Sequence, residues 1–229
     1  MNKLRRLRSV FEGFLPLFTL AHFAHHMLPA LPAPLLPLIR NEFGLSYAQS
    51  AMISSSFSWV YGGAQIPAGF LADRFGPRLL LIIGICGIAV AGILVGISQT
   101  YAMLLVFLLL MGLLGGGYHP AAAPMVSASA NVKNRGRALG FHEVGASASF
   151  LVTPFIATAI AGAHGWRSAY VWISVPVMLF GLYLIYATRG REYSKYRADP
   201  SALPETGARA DAGRQRRLVI FLLFVVVSG

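Results

Sequence analysis

Apolar residues in this chain come in six long blocks separated by short polar breaks. The blocks cover approximately residues 14–39, 46–72, 79–98, 101–128, 138–162 and 167–188. A helix that crosses a membrane needs about 20 mostly apolar residues, and each block is long enough. A final apolar run, 218–229, offers only about 18 Å of helix at 1.5 Å per residue, against a hydrocarbon core of roughly 30 Å. The pattern predicts an all-α membrane protein. Residues 1–188 form a six-helix transmembrane bundle, 189–217 a cytoplasmic central linker, and 218–229 the truncated start of a seventh transmembrane helix. The linker carries Pro200, Pro204, Gly207 and Gly213 among mixed charges, a composition that favours loop over helix.

Composition supports a membrane domain. Hydrophobic residues make up 56% of the chain and charged residues only 12%. A soluble core of this size has no room for so much apolar surface. The formal net charge of +11 would suit a nucleic-acid surface, but its distribution does not. If the six helices alternate direction, 17 of the 19 Lys and Arg residues fall on one side, and only Arg40 and Arg167 on the other. That partition is the positive-inside signal, so the N-terminus and the long loop are expected in the cytoplasm and the chain in the cell inner membrane. No nucleic-acid partner is expected. The lone Cys86 rules out an intrachain disulfide framework and reads as a small core residue.

Helix-breaking residues concentrate in two blocks. Pro29, Pro32, Pro34 and Pro37 fall in the second half of the first. Each removes a donor, so the carbonyls of His25, Leu28, Ala30 and Ala33 are expected to lose their usual partners. Such a segment is either a kinked packing helix or backbone that lines a cavity. In the fourth block Gly112 and Gly116 form a small-xxx-small face. In the fifth, Gly145, Ser149, Thr153 and Pro154 begin a stripe of small residues. Both are expected to let neighbouring helices approach closely.

Ionisable groups within the blocks are few, and at membrane depth they need partners. His22, His25 and His26 stand at i, i+3 and i+4, near one helical face. His119 lies in the fourth block, and His142 and Glu143 in the fifth. Histidine titrates near neutral pH, so the functional reading is a proton or substrate pathway. The bland reading is interhelical hydrogen bonding, expected above all for His26 and His119. His164 falls in an outside loop, where it is solvated. His142-Glu143-Val144-Gly145-Ala146 begins like a zinc-protease HExxH, but Ala146 stands where the second histidine belongs. No nucleophile elbow or phosphate-binding loop is present. No cofactor or metal is expected, and an enzyme is the weaker hypothesis; its surviving form uses the intramembrane histidines as metal ligands.

Between the second and third blocks the chain reads Gly69-Phe70-Leu71-Ala72-Asp73-Arg74-Phe75-Gly76-Pro77-Arg78. A turn with basic anchors accounts for it blandly. It also resembles the G-x-L-x-D-R-x-G-R-R loop of the major facilitator superfamily, with Pro77 in place of one basic residue. His22-Phe23, the run from Leu35 to Phe43, and Tyr118-His119-Pro120 resemble the fosmidomycin-resistance efflux branch of that superfamily. The fifth block resembles a degenerate form of the family's antiporter motif. Met111 stands where drug–proton antiporters commonly carry arginine.

The resemblance implies the N-terminal half of a secondary transporter that moves a small molecule by alternating access, as proton-coupled efflux. It implies that Gly69, Asp73, Arg74, Gly76 and Arg78 form a loop that biases one conformation. It also implies that His22, His25, His142, Glu143 and His119 line the substrate or proton pathway. The partners would be the substrate, protons, the lipid bilayer, and a missing C-terminal six-helix half or second subunit. A different reading is an interaction subunit that pairs with another membrane half and transports nothing itself.

Overall fold

The computed structural model describes residues 15–130 and 132–189. The expected linker beyond Arg189 and the expected start of a seventh helix lie outside the described residues. Eight α-helices are present among the described residues: α1 (Leu15–Met27), α2 (Pro32–Phe43), α3 (Tyr47–Phe75), α4 (Pro77–Gly96), α5 (Tyr101–Gly115), α6 (Tyr118–Ser129), α7 (Arg135–His164) and α8 (Trp166–Ala187). A short 3-10 turn, Val132–Asn134, leads into α7.

These eight fold as six rods, because the first and fourth blocks each break into two helices. The first block departs from a single kinked helix. Pro29 has no N–H to continue α1, and the chain turns at 28–31. Pro32 then opens α2, where a missing N–H costs nothing. The Leu28 carbonyl, expected to lose its partner, accepts instead from the Leu31 N–H at 3.1 Å. The fourth block turns at Gly116 and Gly117 between α5 and α6.

Elsewhere local signals set the ends. Ser46 and Gln49 form a reciprocal capping box at the start of α3. Thr100 accepts from the Met103 N–H at the start of α5. Gly76 takes φ 91° between α3 and α4, and Gly165 takes φ 82° between α7 and α8. Both conformations are strained for a residue with a Cβ.

By length and composition four helical segments can cross a membrane: Pro77–Gly96, Tyr101–Ser129, Arg135–His164 and Trp166–Ala187. The first block falls outside that set because it is broken. α3 is 29 residues long, but its serines and glutamines make it more polar.

α4 packs against α5 and α8, α1 against α7, and α3 against α5. Their shared core holds Phe18, Leu28, Leu81, Ile85, Ile88, Tyr118 and Tyr170, all fully buried. Several of these contacts rest on glycine. A Cβ at Gly112 would stand 2.6 Å from the Phe57 carbonyl oxygen of α3. A Cβ at Gly145 of α7 would overlap the Thr19 carbonyl oxygen of α1. Ser149 and Thr153 are buried one turn apart, their hydroxyls 3.3 Å from each other. Large apolar side chains remain exposed along α3 (Trp59, Ile66, Phe70) and α7 (Leu151, Phe155).

One polar clamp ties three connections together at the end of the bundle opposite the Gly76 turn. Arg167 Nη1 donates to Glu42 Oε1 at 2.6 Å, and Trp166 Nε1 donates to Glu42 Oε2 at 2.7 Å. Arg167 Nε donates to the Ser98 carbonyl at 2.8 Å. Partial burial pushes the Glu42 carboxyl up, but the hydrogen bonds from Arg167 and Trp166 outweigh it and hold the carboxyl below its usual 4.5. A depressed folded-state pKa adds stability that is complete above the unfolded value and lost as pH falls through the folded one. Acidification below the ordinary glutamate range is therefore expected to lower the thermal stability of the parent more than that of Glu42→Gln. Melting curves in detergent from pH 7 down to pH 3 check this; parallel slopes would remove the clamp from the stability of the fold.

Candidate functional site

The helical period places His22, His25 and His26 of α1 near one face, and that face meets α6 and α7. The break at Gly116–Gly117 lets the backbone at Tyr118 press on α4. A Cβ at Gly84 would stand only 2.9 Å from Tyr118 N. Tyr118 and His119 open α6 from this point.

The histidines gather into one stack. The His22 and His142 rings lie parallel, 4.0 Å between centroids. His25 stacks on Tyr118 at 4.2 Å. His119 stands edge-on to His22 at 5.2 Å, and His26 tilts against His22 at 4.7 Å. Tyr61 of α3 closes the group, its hydroxyl 3.0 Å from His25 Nε2.

Hydrogen bonds fix part of this arrangement. His22 Nδ1 lies 2.9 Å from the His142 carbonyl oxygen. A carbonyl only accepts, so Nδ1 carries the proton and donates. Among the described residues, His22 Nε2, His26 Nδ1 and the Tyr118 hydroxyl are buried without a hydrogen-bond partner. Buried polar atoms without partners are rare in folded proteins, and such a cluster calls for an occupant or a mobile proton. Glu143 sits at the margin. Its Oε1 is 4.0 Å from His22 Nδ1, and its side chain is 66% exposed while His22 is wholly buried. The carboxylate thus links a buried imidazole to the uncovered face of α7.

Of the residues singled out in the sequence, His22, His25, His119, His142 and Glu143 come together here. His26, expected only to bridge helices, is among them. Tyr61 and Tyr118 were missed; their signal was a hydroxyl inside an apolar block, and Tyr118 adjoins His119. His164 is exposed, 4.8 Å from Trp172.

The loop residues stand apart from this cluster. Asp73 and Arg74 are exposed, and Asp73 has no ion pair among the described residues. Arg78 makes the helix-end contact: Nε donates to Thr188 Oγ1 at 2.9 Å and Nη2 to the Ile185 carbonyl at 2.7 Å. It joins the start of α4 to the end of α8, where a cation also favours the helix dipole.

Residues 18–229 match the family profile of the Major Facilitator Superfamily. The chain belongs to that superfamily of transporters. Family members are multi-pass membrane proteins that act on small molecules and are not enzymes. The chain is 30% identical to a probable sulfoacetate transporter, SauU, of Cupriavidus necator, over 78% of this chain and 42% of that protein. It is 31% identical to a probable L-galactonate transporter of Escherichia coli, over 74% of this chain and 38% of that protein. It is also 31% identical to the multidrug resistance protein MdtG of Proteus mirabilis, over 62% of this chain and 36% of that protein. The chain therefore spans well under two thirds of the length of these curated relatives.

In structure the chain is similar to a peptide transporter, POT, crystallised with sulfate. The TM-score is 0.69 at 20% identity, covering 99% of this chain and 49% of that one. A bacterial homologue of the lysosomal transporter Spinster matches with TM-score 0.64 at 22% identity, over 88% of this chain and 49% of that one. At these identities the likeness concerns the fold: this bundle corresponds to one half of a major-facilitator transporter.

Proposed function

We propose that this chain is the N-terminal half of a secondary transporter that exports a small organic molecule by alternating access, with proton flow coupled through the histidine cluster. One observation carries this reading. An otherwise apolar bundle gathers His22, His25, His26, His119 and His142 between α1, α6 and α7, with Glu143 at its open edge. Ionisable groups at membrane depth are costly to keep and mark ion or substrate pathways. In alternating access two bundles rock about a site at their interface. The uncovered faces of α3 and α7 suit such a partner. The Arg78 contact at the Gly76 turn would bias one conformation of that rocking pair.

The N-terminus is assigned to the cytoplasm of the inner membrane by the partition of Lys and Arg. The fosmidomycin-resistance branch stays a proposal resting on the motifs quoted above. A second reading of the cargo is an organic anion, favoured by the sulfoacetate and L-galactonate relatives and by the imidazole donors of the site.

The test is reconstitution in proteoliposomes, with the chain alone and co-expressed with a C-terminal six-helix half. Sulfoacetate, L-galactonate and ethidium serve as probes under an imposed pH gradient, and a cysteine introduced at Ser46 reports orientation. The expected result is saturable, gradient-dependent flux only when both halves are present, with position 46 labelled from outside. Saturable flux from residues 1–229 alone would replace the half-transporter with a homodimer. Absence of flux from the pair would favour a non-transporting interaction subunit.

A further inference from the structure

We infer that His22, His26 and His119 form a binding site for one first-row divalent metal ion of the zinc class, held by three imidazole nitrogens. The inference goes beyond the transport reading and does not depend on it.

The hydrogen bond from His22 Nδ1 to the His142 carbonyl sets the tautomer. The neutral ring must then present a lone pair at Nε2, and that atom is buried with no partner. Metal-ligating histidines commonly donate their other ring N–H to a backbone carbonyl in this way, which orients the ring and raises its basicity. His26 Nδ1 is likewise buried and unpartnered. One ring nitrogen from each of His22, His26 and His119 falls in a group whose members all lie within 4.8 Å of one another. Metal–nitrogen bonds of about 2.0–2.1 Å in a tetrahedral site place nitrogens roughly 3.4 Å apart. Rotations of His26 and His119, both only partly buried, would have to close that difference.

The donor set points to the class of ion. Imidazole alone suits zinc, cobalt, nickel or copper, whereas calcium and magnesium require oxygen ligands. Three protein ligands leave a fourth position open, as in zinc sites that bind water or an exchangeable ligand. The Cys86 thiol is not part of the set; it packs towards Gly181 on the α4–α8 contact. A rival set, His22 with His142 and Glu143, also gathers within the same span. It approaches His22 from Nδ1, which already carries a proton bonded to a carbonyl. Glu143 is better placed as the counter-charge that offsets a divalent ion at this depth.

The experiment uses the full chain in detergent, purified without a polyhistidine tag and treated with chelator. Co2+ is titrated as a spectroscopic stand-in and then displaced by Zn2+. The expected result is one equivalent per chain, with the comparatively intense visible d–d bands of tetrahedral cobalt, no thiolate charge-transfer band, and loss of the signal on adding Zn2+. His26→Gln and His119→Gln should each weaken binding by at least about tenfold. His164→Gln should bind like the parent. Binding that is equal in all variants, or lost in His142→Gln but kept in His26→Gln and His119→Gln, would overturn the site, as would no stoichiometric binding by the parent. Variants are compared only where metal-free circular dichroism and melting match the parent. If they misfold, zinc-edge X-ray absorption on the parent decides: a first shell with three imidazoles supports the site, and fewer than three overturns it. These readouts involve no flux, so the site can fail while the transport reading stands, and the reverse.

Discussion

Gly145→Val is expected to prevent the bundle from assembling. A Cβ at this position would overlap the Thr19 carbonyl oxygen, which belongs to the backbone of α1 and has no rotamer to escape into. Phe23 N of the same helix would also stand only 3.2 Å away. Overpacking a well-packed site typically costs about 1–3 kcal/mol. Here helix must separate from helix, so the effect should reach or exceed the upper end of that range. α1 and α7 are the helices that carry His22 and His142, so their separation would also dismantle the histidine stack. Gly162, on the same helix, has nothing within 4 Å of a built Cβ. Gly162→Ala should therefore be neutral, or stabilise by up to about 1 kcal/mol through helix propensity. Thermal unfolding of the two variants in detergent checks both. A parent-like melting temperature for Gly145→Val would mean that α1 and α7 do not meet this closely.

Replacing His22 or Glu143 with glutamine is expected to uncouple the transporter from protons. His22 is wholly buried, and the Glu143 carboxylate lies 4.0 Å from its Nδ1, with two thirds of the Glu143 side chain exposed. One bridging water would let a proton pass between the buried ring and the uncovered carboxylate 4.0 Å away, and glutamine can carry neither charge. Coupling between two ligands is commonly worth roughly 5- to 150-fold in affinity. The pH-gradient stimulation of flux in the two-half protein should therefore fall by at least about fivefold in each variant. The measurement is proton uptake on probe addition to proteoliposomes, at matched protein abundance and melting temperature. Unchanged coupling in both variants would leave these side chains as interhelical hydrogen-bond partners and would move the proton path elsewhere.

Much of this architecture is legible in the order of residues. Helix ends follow local chemistry: a serine and glutamine cap α3, and glycines 76 and 165 take positive φ between helices. The histidines were visible because ionisable groups stand out in apolar blocks, and three of them follow a helical period. Other features were not visible. The chain does not reveal that the four prolines of the first block divide it cleanly at 28–31 rather than bend it, because that depends on whether freed carbonyls find new donors. Nor does it show the clamp of Glu42 with Trp166 and Arg167, whose partners lie more than 120 residues apart.

By itself, then, the sequence determined the membrane class, the six apolar blocks, the expected sidedness and the candidate titratable groups. These are properties of a residue and its near neighbours, set by transfer of side chains from water to hydrocarbon and by backbone stereochemistry. Only the tertiary structure decided which of those groups meet. It joined α1 to α7 at Gly145 and α6 to α4 at Gly84, stacked His22 on His142, and left Nε2 of His22 without a partner among the described residues. Within residues 69–78 it gave Arg78 the contact with α8 and left Asp73 exposed. The reason is physical. Helix packing depends on which surfaces fit when all helices compete for the same neighbours, and a buried nitrogen is satisfied or not by atoms far away in the chain.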